Sequence, residues 1–407
     1  MSNSTSSRIP GVAGDVDALT GLQAARLGLY LHFPYCLARC PYCDFAVAIR
    51  REVPGAAYAD AVIRELEMRR AAEPSLAGRA LQSVFIGGGT PSLWNPADLG
   101  RVLRHVQASY GVQPGAEVSL EGNPEVADAA RFAGYIDAGV NRLSLGVQSF
   151  HAPTLRALGR AHSPEDAVRA VAAAQQAGAG SVSVDLIYGA PGQSLAEVRA
   201  DVRRAVELGV DHVSAYALTV EREVLAADTA FSRREGRGML HAADDALSVE
   251  MAHALAEELE GAGLERYEVS NFARPGHHSR HNALYWTGGE YVAAGVGATG
   301  LLGARRFSNE RNSERYQQRV ARGELPEAEV EVLTDEERFH ERLAMGLRLR
   351  TGVSLAAACA AYGVDARPRL EEAARLVAGG FAQWEGERLR LTAHGLDLHG
   401  EVVARLL

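Results

Sequence analysis

The chain has 407 residues, 47% of them hydrophobic and 23% charged, with a net charge of −9. This is ordinary globular composition, with length for about two to three domains. The acidic balance argues against a nucleic-acid partner, and no apolar run reaches the ~18 residues of a membrane-spanning helix, so an integral membrane protein is not expected.

Residues 1–25 are rich in Ser, Gly and Ala and carry no apolar block. They read as a disordered tail rather than a signal peptide, which points to the cytoplasm. Strand-like runs follow at Leu27–Phe33, Ser83–Gly89, Glu117–Asn123, Arg142–Ser149, Ser181–Gly189 and His212–Thr219. Helical patterns lie between them near 56–71, 96–109, 125–138, 164–177 and 195–208. Alternating strands and helices mean parallel βαβ units, so the fold class is α/β, with a partial (β/α)6 TIM-like barrel over 26–225. In parallel barrels the working residues sit at the C-terminal ends of the strands. Those ends carry Gly87-Gly88-Gly89-Thr90, Glu121, Gln148, Asp185, Tyr216 and Ala217. Singly, each also reads as a hydrogen-bonded rim residue; as a set they point to a shared polar ligand.

Residues 225–260 read as a long polar helix, and 264–300 are dense in His, Tyr, Trp and Gly; together they form an extension over 226–325. From 326 to 407 the pattern is a small α-rich, winged-helix-like domain. Its helices are expected at Thr334–Leu347, Val353–Ala361 and Pro368–Val377, the first opened by a capping box of Thr334 and Glu337. A hairpin over Phe381–Thr392 turns at Glu385-Gly386. Arg388 and Arg390 on that hairpin are diluted by Glu385, Glu387 and Asp397, so packing against the barrel is the plainer role.

Of the four cysteines, Cys36, Cys40 and Cys43 fall within eight residues and Cys359 stands far away. That is a poor disulfide framework. Three thiolates on a 4Fe–4S cluster leave one iron open, where a fourth would close it. A structural zinc takes four ligands, and no second CxxC pair exists; His32 is a candidate fourth ligand, on the strand before the loop. Cys359 reads as a small buried hydrophobe.

The loop Tyr30-Leu-His-Phe-Pro-Tyr-Cys36-Leu-Ala-Arg-Cys40-Pro-Tyr-Cys43 resembles that of radical S-adenosylmethionine (SAM) proteins, and its flank resembles the coproporphyrinogen dehydrogenase subgroup. The resemblance covers about 27–395. It implies a cluster on the three cysteines, with SAM on its open iron. It further implies that Tyr30 and Tyr42 contact SAM. Gly88, Gly89 and Thr90 would approach its methionine amino group and carboxylate through the backbone. Glu121, Gln148, Arg160 and Asp185 match further SAM-contacting positions, and Ala217 would abut the adenine.

Within the subgroup one branch is the oxygen-independent coproporphyrinogen III dehydrogenase, and another is the HemW-type heme chaperones, which bind heme and deliver it to acceptor proteins, respiratory ones among them. A short, Ser/Ala/Gly-rich stretch before the loop favours the chaperone branch, as do the segments LGRAHS and GLRLRTGV. So does His281-Asn-Ala-Leu-Tyr285-Trp286, which resembles the HNxxYW string of that branch and implies heme ligation by His281, with Tyr285 and Trp286 stacking on the macrocycle. The alternative for His281 is a buried histidine bonded inside the fold. His277 and His278 read as loop residues. Where relatives show GxGAH, this chain has Thr299 in place of the His.

Overall fold

Alternation along the strands sorts side chains between two environments. In β1 (Leu27–Phe33), Leu27, Leu29, Leu31 and Phe33 are buried on one face in a core shared with Tyr58, Val62 and Leu66 of helix α1 (Gly55–Ala72). Gly28, Tyr30 and His32 occupy the other face, which looks into the barrel. The pattern repeats through β2 (Leu81–Gly88), β3 (Val112–Gly122), β4 (Arg142–Gln148), β5 (Ser181–Tyr188) and β6 (His212–Ala217). Polar residues such as Ser83, Ser119, Glu121, Ser144 and Asp185 fall on the lumen side. Between these strands run α2 (Pro96–Ser109), α3 (Ala129–Asp137), α4 (Pro164–Gln176) and α5 (Leu195–Glu207). Capping boxes Ser163/Asp166 and Ser194/Glu197 fix the starts of α4 and α5.

The structure, a computed structural model, describes residues 26–220 and 229–407. The expected tail over 1–25 lies outside these, as does the expected boundary at 225. Strands β1 to β6 are parallel neighbours in chain order, as the βαβ pattern requires. Among the described residues, no helix is long and apolar enough to cross a membrane.

The extension differs from its sequence reading. In place of one helix from 225 to 260, the described part holds a short helix at Ala230–Glu235 and α6 at Asp245–Gly261. Gly236 and Gly238 separate them. Strand β7 (Asn271–Ala273) pairs with β6, and α7 (Arg280–Trp286) follows. Residues 290–332 then add four strands: β8 (Glu290–Gly295), β9 (Thr299–Leu302), β10 (Arg305–Asn309) and β11 (Glu327–Val332), with α8 (Ser313–Ala321) before the last. β8 lies parallel to β1 on the side away from β2, and β9 to β11 continue the sheet antiparallel. Thr299 sits on β9, its hydroxyl 2.8 Å from that of Ser308.

A buried polar network ties this extension to α1. Glu65 pairs with Arg69 at 2.8 Å, and both are almost fully buried. Arg69 also meets Glu327 (2.8 Å) and Asn309 (2.6 Å) and lies over the Phe307 ring. Glu65 accepts from Tyr316, from Asn309 and from the Gly295 amide. Each charge therefore has several partners, which a buried pair requires.

The C-terminal domain has its own core, built from α9 (Asp335–Gly346), α10 (Leu355–Tyr362), α11 (Ala366–Ala378) and the hairpin β12–β13 (Ala382–Glu385 and Arg388–Leu391). Val353–Ser354 adds a third strand. Cys359 is buried in this core, apart from the other cysteines. Removing the Glu65 carboxylate by Glu65→Ala leaves Arg69 buried without its main partner and should cost about 3–5 kcal/mol of stability in chemical denaturation. A loss under about 1 kcal/mol would show that the network does not hold the extension.

Candidate functional site

The cysteine loop leaves the C-terminal end of β1 and is tied to it from several sides. His32 Nε2–H donates to the Ala46 carbonyl (2.9 Å), so its unprotonated Nδ1 accepts from the Tyr30 hydroxyl (2.9 Å). Burial holds His32 down to about 4. With both nitrogens engaged, His32 has none open for zinc. Tyr35–Cys36 pairs with Ala48–Ile49 and closes the loop. Cys36 is buried, while Cys40 and Cys43 are partly exposed. Burial pushes the Cys36 thiol up to about 11; a hydrogen bond from Thr90 works against this, and the nearby Cys43 and Cys40 add to it. Its thiolate therefore calls for a bound cation.

The end of β2 passes directly beneath the loop. A Cβ on Gly88 would stand 2.6 Å from the His32 ring, and one on Gly89 would stand 2.9 Å from Cys36 Sγ. The Gly88, Gly89 and Thr90 amides donate to Glu121, to the Phe33 carbonyl and to the Tyr35 carbonyl. The fold thus already uses the N–H groups of all three residues. Glu121 on β3 and Asp185 on β5 both face the lumen. Burial first, then Asp185, raises Glu121 to about 8, and burial raises Asp185 to about 6. Ser144 donates to Asp185 at 3.2 Å. Gln148 ends β4 with φ +65, the one positive φ of a non-glycine among the described residues. Strain of this kind gathers at working sites. Arg160 donates to Cys40 Sγ (3.3 Å) and the Gly146 carbonyl (3.1 Å), and stands 3.6 Å from Glu125. Tyr42 is partly buried and packs near Phe231 at 6.2 Å. Tyr216 and Ala217 are exposed at the mouth, at the end of β6.

His281, Tyr285 and Trp286 lie at the other end of the barrel. Helix α7 plugs the N-terminal mouth. Glu117 at the start of β3's lumen face accepts the Arg280 and His281 amides at 3.0 Å each. His281 is fully buried, its Nδ1 2.8 Å from the Ser83 hydroxyl and its Nε2 2.6 Å from that of Tyr285. Its ring stacks on Phe85, which in turn stacks on Tyr30. Burial lowers His281 to about 3. A Cβ on Gly28 would stand 2.5 Å from Leu284, so glycine is what admits the helix here. The Trp286 carbonyl accepts from Arg342 of the C-terminal domain. Of the two readings open for His281, a heme ligand or a buried histidine bonded inside the fold, this geometry is that of the second. In this fold both ring nitrogens are in use and His281 belongs to the barrel floor.

Comparison with known proteins places this geometry. The radical SAM superfamily matches residues 30–205, and the HemN C-terminal domain matches 333–398. Heme chaperone HemW of Mycobacterium tuberculosis is 38% identical over 396 residues, covering 97% of this chain and 98% of that protein. The chain belongs to the HemW family. Heme chaperone HemW of Escherichia coli is 40% identical over 279 residues, 68% of this chain and 70% of the relative. The mitochondrial radical S-adenosyl methionine domain-containing protein 1 of Bos taurus is 38% identical over 344 residues, 81% and 74% of the two. Among solved structures, coproporphyrinogen III oxidase (HemN) from Escherichia coli superposes with a TM-score of 0.78 over 96% of this chain and 92% of that one. At 22% identity this is a likeness of fold.

Membership of the HemW family within the radical SAM superfamily implies a 4Fe–4S cluster and SAM. The residues present fit both. Among the described residues, no three His, Cys, Asp or Glu side chains converge on one ion, and a cluster does not ask this, because each thiolate binds a different iron. Arg160 Nε and Ser119 Oγ are buried with no hydrogen-bond partner among the described residues, as groups awaiting a ligand would be. The sequence reading missed Ser119, Ser144, Asn123 and Glu125. The period-two alternation of small polar residues in the strands was the signal for the two serines.

A carboxyl raised in the fold holds a proton that the unfolded chain has lost between about pH 4.5 and 8. It therefore costs stability as pH rises through that window. Glu121→Gln should gain melting temperature over wild type at about pH 9 and gain little at about pH 5; equal gains would contradict a buried Glu121. His281→Ala should cost roughly 3–5 kcal/mol in chemical denaturation, from the lost ring and two orphaned hydroxyls. A loss below about 1 kcal/mol would mean the floor helix does not depend on it.

Proposed function

We propose that this chain is a heme chaperone, which binds heme and passes it to acceptor proteins, and which holds a SAM-binding 4Fe–4S cluster on Cys36, Cys40 and Cys43. The observation that carries the reading is the similarity over 97% of the chain to a protein described as a heme chaperone. When bound, the cluster supplies one-electron chemistry at SAM. The chain's own residues bind and orient. Tyr30, Tyr42, Glu121, Gln148, Arg160 and Asp185 would line the SAM site, Gly88, Gly89 and Thr90 give the ligand room beside the loop, and Ala217 lies at the rim. The raised Glu121 and Asp185 suit hydrogen bonds to a ligand's hydroxyl and ammonium groups, in either protonation state.

Heme is cargo. Ligation by His281 would require its bonds to Ser83 and Tyr285 to open, so a heme held there by iron implies displacement of the floor helix. Heme-accepting proteins, respiratory ones among them, are the proposed partners, with no nucleic acid. Four unbridged cysteines suit a reducing, cytoplasmic setting.

The second reading is oxygen-independent coproporphyrinogen III dehydrogenase, which the likeness of fold to HemN alone would allow. One anaerobic experiment separates the two. Reconstituted protein is given heme in one arm, and coproporphyrinogen III, SAM and a reductant in the other. Stoichiometric heme uptake, seen as a Soret band that moves to an added apo-acceptor, is expected, with no porphyrinogen product. Protoporphyrinogen forming over many turnovers would overturn the chaperone reading.

A further inference from the structure

Thr90 is placed at Cys36 by the same close approach that shapes the loop. Its amide donates to the Tyr35 carbonyl at 3.0 Å, one residue before the cysteine. Glycine at 89 permits this, because a Cβ there would meet both the Pro34 carbonyl and Cys36 Sγ under 3 Å. The Thr90 side chain is buried, 5% exposed, and its Oγ1 lies 3.4 Å from Cys36 Sγ as donor. The direction of that bond is set by a third residue. Asn123 Nδ2 donates to the same Oγ1 at 3.2 Å, so the hydroxyl accepts on that side and its own hydrogen is left for the sulfur. Asn123 is itself anchored, its amide donating to Ser92 Oγ at 3.1 Å. A short relay, Asn123 to Thr90 to Cys36, thus delivers one neutral hydrogen bond to a thiol. Cys40 receives its bond from the charged Arg160 instead.

We infer that Thr90 is a positioning residue that tunes the cluster's reduction potential: its hydroxyl, aimed by Asn123, donates to Cys36 Sγ and favours the reduced, more negative form. This rests on the reading of Cys36 as a cluster ligand. Hydrogen bonds to the sulfurs are among the levers that set an iron–sulfur potential, and they act most strongly where water is excluded, as it is around this pair. Thr90 needs no charge and no contact with SAM for this role, so the effect belongs to the SAM-free protein.

The test uses the full chain, reconstituted anaerobically without SAM and titrated with dithionite under electron paramagnetic resonance. Thr90→Val keeps the shape and loses the donor, and its midpoint potential should fall below wild type. Thr90→Ser should restore it, and Asn123→Ala should lie between, since the hydroxyl remains but is no longer aimed. In deuterated buffer, the reduced wild-type and Thr90→Ser clusters should show a hyperfine coupling from the exchangeable hydroxyl deuteron that Thr90→Val lacks. A Thr90→Val protein with wild-type potential and coupling overturns the inference, and so does a Thr90→Ser potential as low as that of Thr90→Val. Should Thr90→Val fail to assemble, Asn123→Ala decides, and a wild-type potential there overturns the inference. Wild-type protein lacking iron and sulfide would overturn the cluster assignment itself, a distinct result.

Discussion

Everything at the cysteine end depends on how closely neighbours approach β1. Gly88 and Gly89 on one side and Gly295 on the other all stand where a Cβ would collide with His32, Pro34 or Cys36. Gly88 and Gly295 also hold positive φ, at 113 and 107. A side chain at any of the three would push the strands apart and the loop with them. From α1, the Tyr58 hydroxyl reaches the His32 carbonyl at 2.6 Å and receives the Val296 amide, so helix, central strand and extension meet at one point. The loop's conformation is thus imposed by the barrel, before any cofactor is considered.

The same crowding explains the buried ions. β8 cannot run beside β1 without the Gly295 turn, and the amide freed there is taken by Glu65. Glu65 is in turn neutralised by Arg69, which reaches out to Glu327 on β11. A fully buried carboxylate without these partners would be far too costly. The network makes the extension part of the barrel's stability.

The lumen is graded from floor to mouth. At the floor, polar groups satisfy one another: His281 with Ser83 and Tyr285, and His212 with Ser183 and Tyr267. Toward the mouth they are left less complete, with Glu121 and Asp185 raised and Arg160 Nε without a partner among the described residues. The stack of His281, Phe85 and Tyr30 joins the two ends physically. A ligand is therefore better accommodated at the cysteine end than at the floor.

From the sequence alone the six βα units, the three clustered cysteines, the capping box at Thr334 and the C-terminal hairpin were legible, because local periodicity, spacing and turn chemistry encode them. β1 was read with its observed ends, Leu27–Phe33. What only the tertiary structure decided was partnership. Strands β8 to β11 are short, and they become strands by pairing with β1 and one another. For His281, residue type and motif allow either an open ligand or a closed hydrogen-bonding residue. The choice falls to Ser83, 198 positions away, and to Tyr285, one helical turn on. Spacing along a chain determines which residues can share an element; burial and pairing between elements determine which of their polar atoms remain available.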